Sequence, residues 1–111
     1  MSGSVNLTYI QLKHEELPVQ KIFRIDGKNY IFNFDYNAVG DFYTLTILDD
    51  NENPIYASKL TYLRNSVQEV VQGLTLKRKI VPLNLSDVMK DIPTIDRISA
   101  NNFDNMRVCI I

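Results

Sequence analysis

The stretch "KIFRIDGKNYIFNFDYNAVGDFYTLTILDD", residues 21–50, alternates apolar and polar residues on both sides of two turn-like breaks. Strict alternation has a period of two, the period of a β-strand half-buried against a core. At the first break, "DGKN", Gly27 accepts the positive φ that opens a type II′ turn, so Gly27-Lys28 is expected at the tip. That register sets Asp26 opposite Asn29, Ile25 opposite Tyr30 and Phe23 opposite Phe32. The second break, "NAVG" at residues 37–40, fits a four-residue loop. It sets Tyr36 opposite Asp41, Phe34 opposite Tyr43, Phe32 opposite Leu45 and Tyr30 opposite Ile47. Both turns then produce the same apolar face. A slip of one residue would destroy that agreement, because side chains alternate across a strand.

Phe23, Tyr30, Phe32, Phe34 and Tyr43 all fall on that face, so they are read as core. A stacking platform for bases or sugars would instead stand open beside basic or amide groups. The opposite face carries Arg24, Ile31, Asn33, Asp35, Thr44 and Thr46 and is expected to be largely solvated. "DDNENP" is a third turn, whose Asp and Asn side chains can bond turn backbone groups. "IYASKL" follows as a strand, making a four-stranded antiparallel meander over residues 21–62.

The flanks are plainer. Residues 1–20 form an N-terminal arm with a short strand at Leu7–Leu12 and a polar connection, "KHEELPVQ". In "SVQEVVQGL", Val67, Val70, Val71 and Leu74 have helical spacing, Ser66 and Glu69 form a capping box, and Gly73 suits a C-cap. A short helix is expected over 66–72. Residues 74–111 hold C-terminal strands and loops. Pro82 places its strand at an edge or bulge, and Pro93 limits any helix before it to one or two turns. "NMRVCII" is a closing apolar strand that should be tied into a sheet or covered by a partner. The whole reads as one mainly β domain over 1–111, a small antiparallel barrel or sandwich with one short helix.

Twelve basic and thirteen acidic residues give a net charge of -1, which removes the general attraction expected of a nucleic-acid or anionic-membrane binder. No apolar run approaches the roughly 20 residues of a membrane helix. "MSGSVNLTYI" lacks the features of a secretory signal, so none is expected. With a single cysteine, Cys109, no internal disulfide is expected either.

Candidate chemistry is thin. His14, Glu15 and Glu16 are adjacent and would diverge along an extended chain, and zinc would need further ligands. Asp49, Asp50 and Glu52 lack the spacing of an EF-hand loop. Lys77, Arg78 and Lys79 suit a solvated strand edge. Cys109, within "VCII", reads as a small buried hydrophobe and not a nucleophile. No catalytic, cofactor-binding or metal-ligating set is expected. Tyr36, Phe42, Tyr56 and Tyr62 fit the core face less well, and tyrosine at a rim suits a protein interface.

The order of pieces resembles the small phage baseplate plug family. The resemblance is carried by the hairpin and strand pattern of Phe23, Ile25, Gly27, Tyr30, Phe32, Phe34, Tyr36, Asn37, Tyr43, Leu45, Ile47, Asp49, Pro54 and Ile55, and by "QGLTL" further on. It runs from Tyr9 to about Leu63, and "KRKIVPLNLSDVMKDIP" departs from it. The resemblance implies a non-enzymatic structural part of a contractile tail, from a phage, a prophage or a phage-derived bacteriocin. Such a part would be made in the bacterial cytoplasm and end in the particle. Its partners would be copies of itself and hub or tube proteins, with Tyr36, Phe42, Tyr56, Tyr62, Val108 and Ile110 as candidate contacts. From a different class, a carbohydrate- or peptide-binding module would use Tyr36, Phe42 and Tyr56.

Overall fold

The computed structural model describes residues 8–67, 78–92 and 94–111. Its strands are β1 (Thr8–Gln11), β2 (Val19–Ile25), β3 (Lys28–Asn37), β4 (Phe42–Leu48), β5 (Pro54–Lys59), β6 (Ile80–Leu83) and β7 (Arg107–Ile110). One turn of helix, α1 (Leu85–Val88), and 3-10 turns at His14–Glu16 and Phe103–Asn105 complete the described elements. The strands form two antiparallel sheets, ordered β2-β3-β4-β5 and β1-β7-β6. Neither closes into a barrel. The protein is mainly β, and its two sheets share one core.

The meander is present, with both inner turns placed differently from the sequence expectation. In the first hairpin Ile25 faces Lys28 and Phe23 faces Tyr30. The tip is therefore Asp26-Gly27, with φ of 51° and 84°. Two positive φ values in succession make a type I′ turn, for which Asp-Gly is a favoured pair. In the second, Asn37 faces Phe42, Tyr36 faces Tyr43 and Phe34 faces Leu45. Here the Asn37 side chain accepts from the Gly40 N–H, and the Tyr36 hydroxyl donates to Asp41 across the loop. Both registers move by two residues, so every apolar residue keeps its face.

Phe32, Phe34, Tyr43, Leu45 and Ile47 on the meander are almost wholly buried. They meet Ile10, Ile80, Val108 and Ile110 of the smaller sheet and Leu12, Ile98, Phe103 and Met106 of the connections. Burial of this kind contributes about 1.5–3 kcal/mol for each large side chain. Ile31 and Leu48, paired on the other face of the meander, are buried as well, so that face is less solvated than expected.

"NMRVCII" supplies the central strand of the small sheet, between β1 and β6. That explains how so apolar a segment is satisfied within the chain. Pro82 lies in β6, an edge strand, as its missing N–H requires. The far edge of β6 is met by the 63–66 segment. The N–H groups of Leu63 and Ser66 donate to the carbonyls of Pro82 and Ile80, and the Asn65 side chain accepts from Ile80. The helix expected over 66–72 falls outside the described residues from position 68 onward.

Candidate assembly surface

The residues singled out from the sequence do not form one patch. Tyr36 points to the inner face of the meander. Its hydroxyl donates to Asp41 at 2.8 Å, and its ring meets His14 edge-on at 4.5 Å and Tyr43 at 4.7 Å. Tyr43 in turn stacks flat on Phe103, 3.8 Å between centroids and 9° between planes. Its hydroxyl shares a 2.7 Å hydrogen bond with Nδ1 of His14. Burial, helped by Tyr36, Asp41 and Asp104, pushes the Tyr43 phenol up to about 12, so it stays protonated. His14 is thus an anchor for the 3-10 turn, whose backbone N–H also bonds Asp104. The sequence offered only a polar connection, "KHEELPVQ", with no partner for His14. That partner is tertiary, and no local pattern announces one.

Asp41, at φ 52°, gathers the far side of the same cluster. It accepts from the Ala100 N–H and from Tyr36, while the Arg97 guanidinium lies 3.4 Å from its second oxygen. The Ala100 bond, then the Tyr36 hydroxyl, hold its carboxyl below the usual range. The β3–β4 loop is thereby tied to the C-terminal loop. Gly40 is required there for space: a Cβ would stand 2.5 Å from the Phe42 ring.

Phe42 faces the opposite side of the sheet from Tyr36, with the Lys59 ammonium 4.9 Å from its ring centroid. Tyr56, paired with Ile47, packs partly buried against the core. Tyr36, Phe42 and Tyr56 therefore do not converge on a cleft. The outer face near Phe42 bears a shallow, open concavity of about 410 Å³ lined by Asn33, Asp35, Thr44 and Thr46 among others.

Tyr62, Val108 and Ile110 are buried within the chain itself. In this fold they are reached from inside and not from solvent. The Tyr62 hydroxyl donates to Asp87 at 2.8 Å. Asp87, itself 2% exposed, also accepts from the Thr94 N–H, the Thr94 hydroxyl and the Ile95 N–H. Burial alone would raise its pKa, but these bonds reverse that and hold it at about 2. Asn84 caps α1 by accepting from the Asp87 N–H. This carboxylate fastens residues 84–92, with Thr94 and Ile95, to the body of the domain.

What the clamp holds outward is apolar. Leu85 is about half exposed, and Met89 and Ile92 are each 78% exposed. Tyr9, Ile22, Leu63, Ile111 and the loop-tip Val39 are further exposed apolar residues. The sequence allowed one or two turns of helix before Pro93, and α1 is one such turn, but no residue of this segment was among the candidate contacts. The N-x-x-D spacing of Asn84 and Asp87 is the signal that could have marked a capped turn there. Among the described residues no cluster of three or more His, Cys, Asp or Glu could hold a metal ion. No helix among them is long and apolar enough to cross a membrane. Cys109 is buried, and burial raises its thiol pKa, as befits a packing residue.

Comparison with protein families decides the class. A model describing the cyanophage baseplate Pam3 plug gp18 matches residues 7–106. The chain belongs to that family of phage baseplate plugs. Neither the curated proteins nor the solved structures give a match. The match covers every described strand except β7, which begins at Arg107, and takes in most of the C-terminal region where the resemblance read from sequence was weakest. Baseplate plugs have a structural role, and the family places such proteins in the tail of the virion.

Proposed function

We propose that this plug acts by assembly, as a rigid part that fills the baseplate hub and contacts copies of itself and hub or tube proteins. The family match across residues 7–106 carries the reading. Two features support it. The aromatic cluster of His14, Tyr36, Tyr43 and Phe103 is used internally, which suits a part whose shape must be fixed before it docks. Exposed Leu85, Met89 and Ile92 stand on a segment fastened by Asp87, and apolar side chains held in place lose little freedom on binding. The work is mechanical, and no reaction is assigned to any residue. The dispersion of Tyr36, Phe42 and Tyr56 over two faces gives the carbohydrate- or peptide-module reading no aromatic cleft to use.

The test is genetic. Deleting the coding sequence from the phage or phage-like element that carries it should abolish mature contractile tails, and supplying the chain in trans should restore them. Normal yields of functional tails without it would contradict the proposal.

A further inference from the structure

A helical turn on a protein surface ordinarily buries its apolar residues and exposes its charged ones. The turn after β6 does the reverse. Leu85 and Met89 lie four residues apart, and the Met89 N–H donates to the Leu85 carbonyl, so the two side chains share one side of the turn. Ile92 follows in the bend beyond. Leu85 is about half exposed and Met89 and Ile92 are more so, while Asp87 between them is buried. The inversion is held in place by bonds. Turning the apolar side inward would draw the Asp87 carboxylate from the Tyr62 hydroxyl and from the donors of Thr94 and Ile95, leaving buried polar groups unpaired. Apolar side chains kept outward by so specific a set of bonds mark a contact surface.

We propose that Leu85, Met89 and Ile92 form one anchor, and that it seats in an apolar groove of a different baseplate protein. The inference rests on the assembly reading and names the kind of partner that this face takes. Apolar residues at such spacing are the anchors by which a helical turn lies in an apolar groove. The area argues against a second copy. The three side chains present about 300 Å² at most. Stripe against stripe, two copies would bury about 600 Å², half of the roughly 1,200 Å² of a stable interface. A groove closes round the flanks of the turn as well, and so can reach about 800 Å² on each side. The concavity of about 410 Å³ on the meander of another copy offers no apolar seat, because the polar side chains of Gln20, Asn33, Asp35, Thr44 and Thr46 line it. Lys90 and Asp91 are exposed between Met89 and Ile92. The rim of the groove should therefore offer an acidic and a basic side chain in turn.

The experiment uses the full chain inside particles that encode it. Met89 is replaced by the photo-crosslinker benzoyl-phenylalanine, and Lys28, exposed at the start of β3, is replaced likewise as a control. Irradiated tails are digested and the joined peptides identified by mass spectrometry. Position 89 should join apolar residues of another tail protein, and position 28 should not join those residues. Position 89 joined to another copy of this chain, or to nothing, would overturn the proposal. In a second arm, Met89→Glu and Met89→Leu are supplied in trans to a deletion. Met89→Glu should enter tails about tenfold less than wild type, because burial of one such side chain is worth at least that factor. Met89→Leu should enter as wild type does. Both purified variants should keep the wild-type melting midpoint, which shows that they are folded. Full entry of Met89→Glu would overturn this proposal while leaving the assembly reading intact. Normal tails formed without the chain would overturn both.

Discussion

Asp87 shows what a single residue does here. It is a carboxylate with 2% exposure, and it survives burial because four donors from Tyr62, Thr94 and Ile95 face it. Lys90 adds a distant, exposed ammonium at 3.8 Å, which counts for little beside those bonds. The folded pKa of about 2 lies below the ordinary 3.8. A depressed pKa means that the carboxylate form stabilises the fold. That contribution is complete above about pH 4 and is lost as the pH falls toward 2. Asp87→Asn should therefore lower the thermal midpoint at neutral pH by several degrees, with the difference from wild type shrinking below pH 4. Melting curves taken across pH 2–7 check this. A difference that stays constant with pH would show that the charge is not what matters. In the sequence Asp87 was one acid among thirteen. The spacing from Asn84 can mark a capped turn, but nothing local marks a buried carboxylate, because its donors come from residues 62 and 94–95.

At the scale of elements, the alternating pattern was enough to place β2, β3, β4 and β5 in one meander and to choose the buried face. It was not enough to fix register. Apolar alternation repeats every two residues, so pairings that differ by two satisfy it equally. Phe23 against Tyr30 and Phe23 against Phe32 are equivalent by that criterion. The backbone of the turn decides between them, and Asp26 takes φ 51° beside Gly27 at 84°. Gly27→Ala should destabilise the domain by about 1–2 kcal/mol, since a Cβ resists the left-handed region while meeting no neighbour there. Asp26→Asn should leave stability nearly unchanged, because Asn-Gly suits the same turn. Urea unfolding of both variants tests the assignment. A harmless Gly27→Ala would point back to a different turn. The same limit explains the candidate contacts: Val108 and Ile110 were legible as a strand needing cover, but their cover proves to be β1, β6 and the meander core.

At the scale of the molecule, N-terminal β1 and C-terminal β7 are neighbours, so the chain's two ends close one small sheet over the meander. Interior aromatics fix the shape. The exposed apolar residues Leu85, Met89, Ile92 and Tyr9 lie outside the meander on which the resemblance chiefly rested. That is why the family was readable from the sequence and the contact surface was not. Hairpins have strong turn and period signals, whereas a docking surface is known by exposure, which only the folded chain reveals. In the proposed role this domain is a built-in part of a contractile tail. An electron cryomicroscopy map of tails isolated from particles that encode the chain tests it most directly. The map should contain, at the baseplate on the tube axis, density that fits the four-stranded and three-stranded sheets with Leu85, Met89 and Ile92 against a neighbouring subunit. Complete baseplates in which no such density occurs would contradict that role.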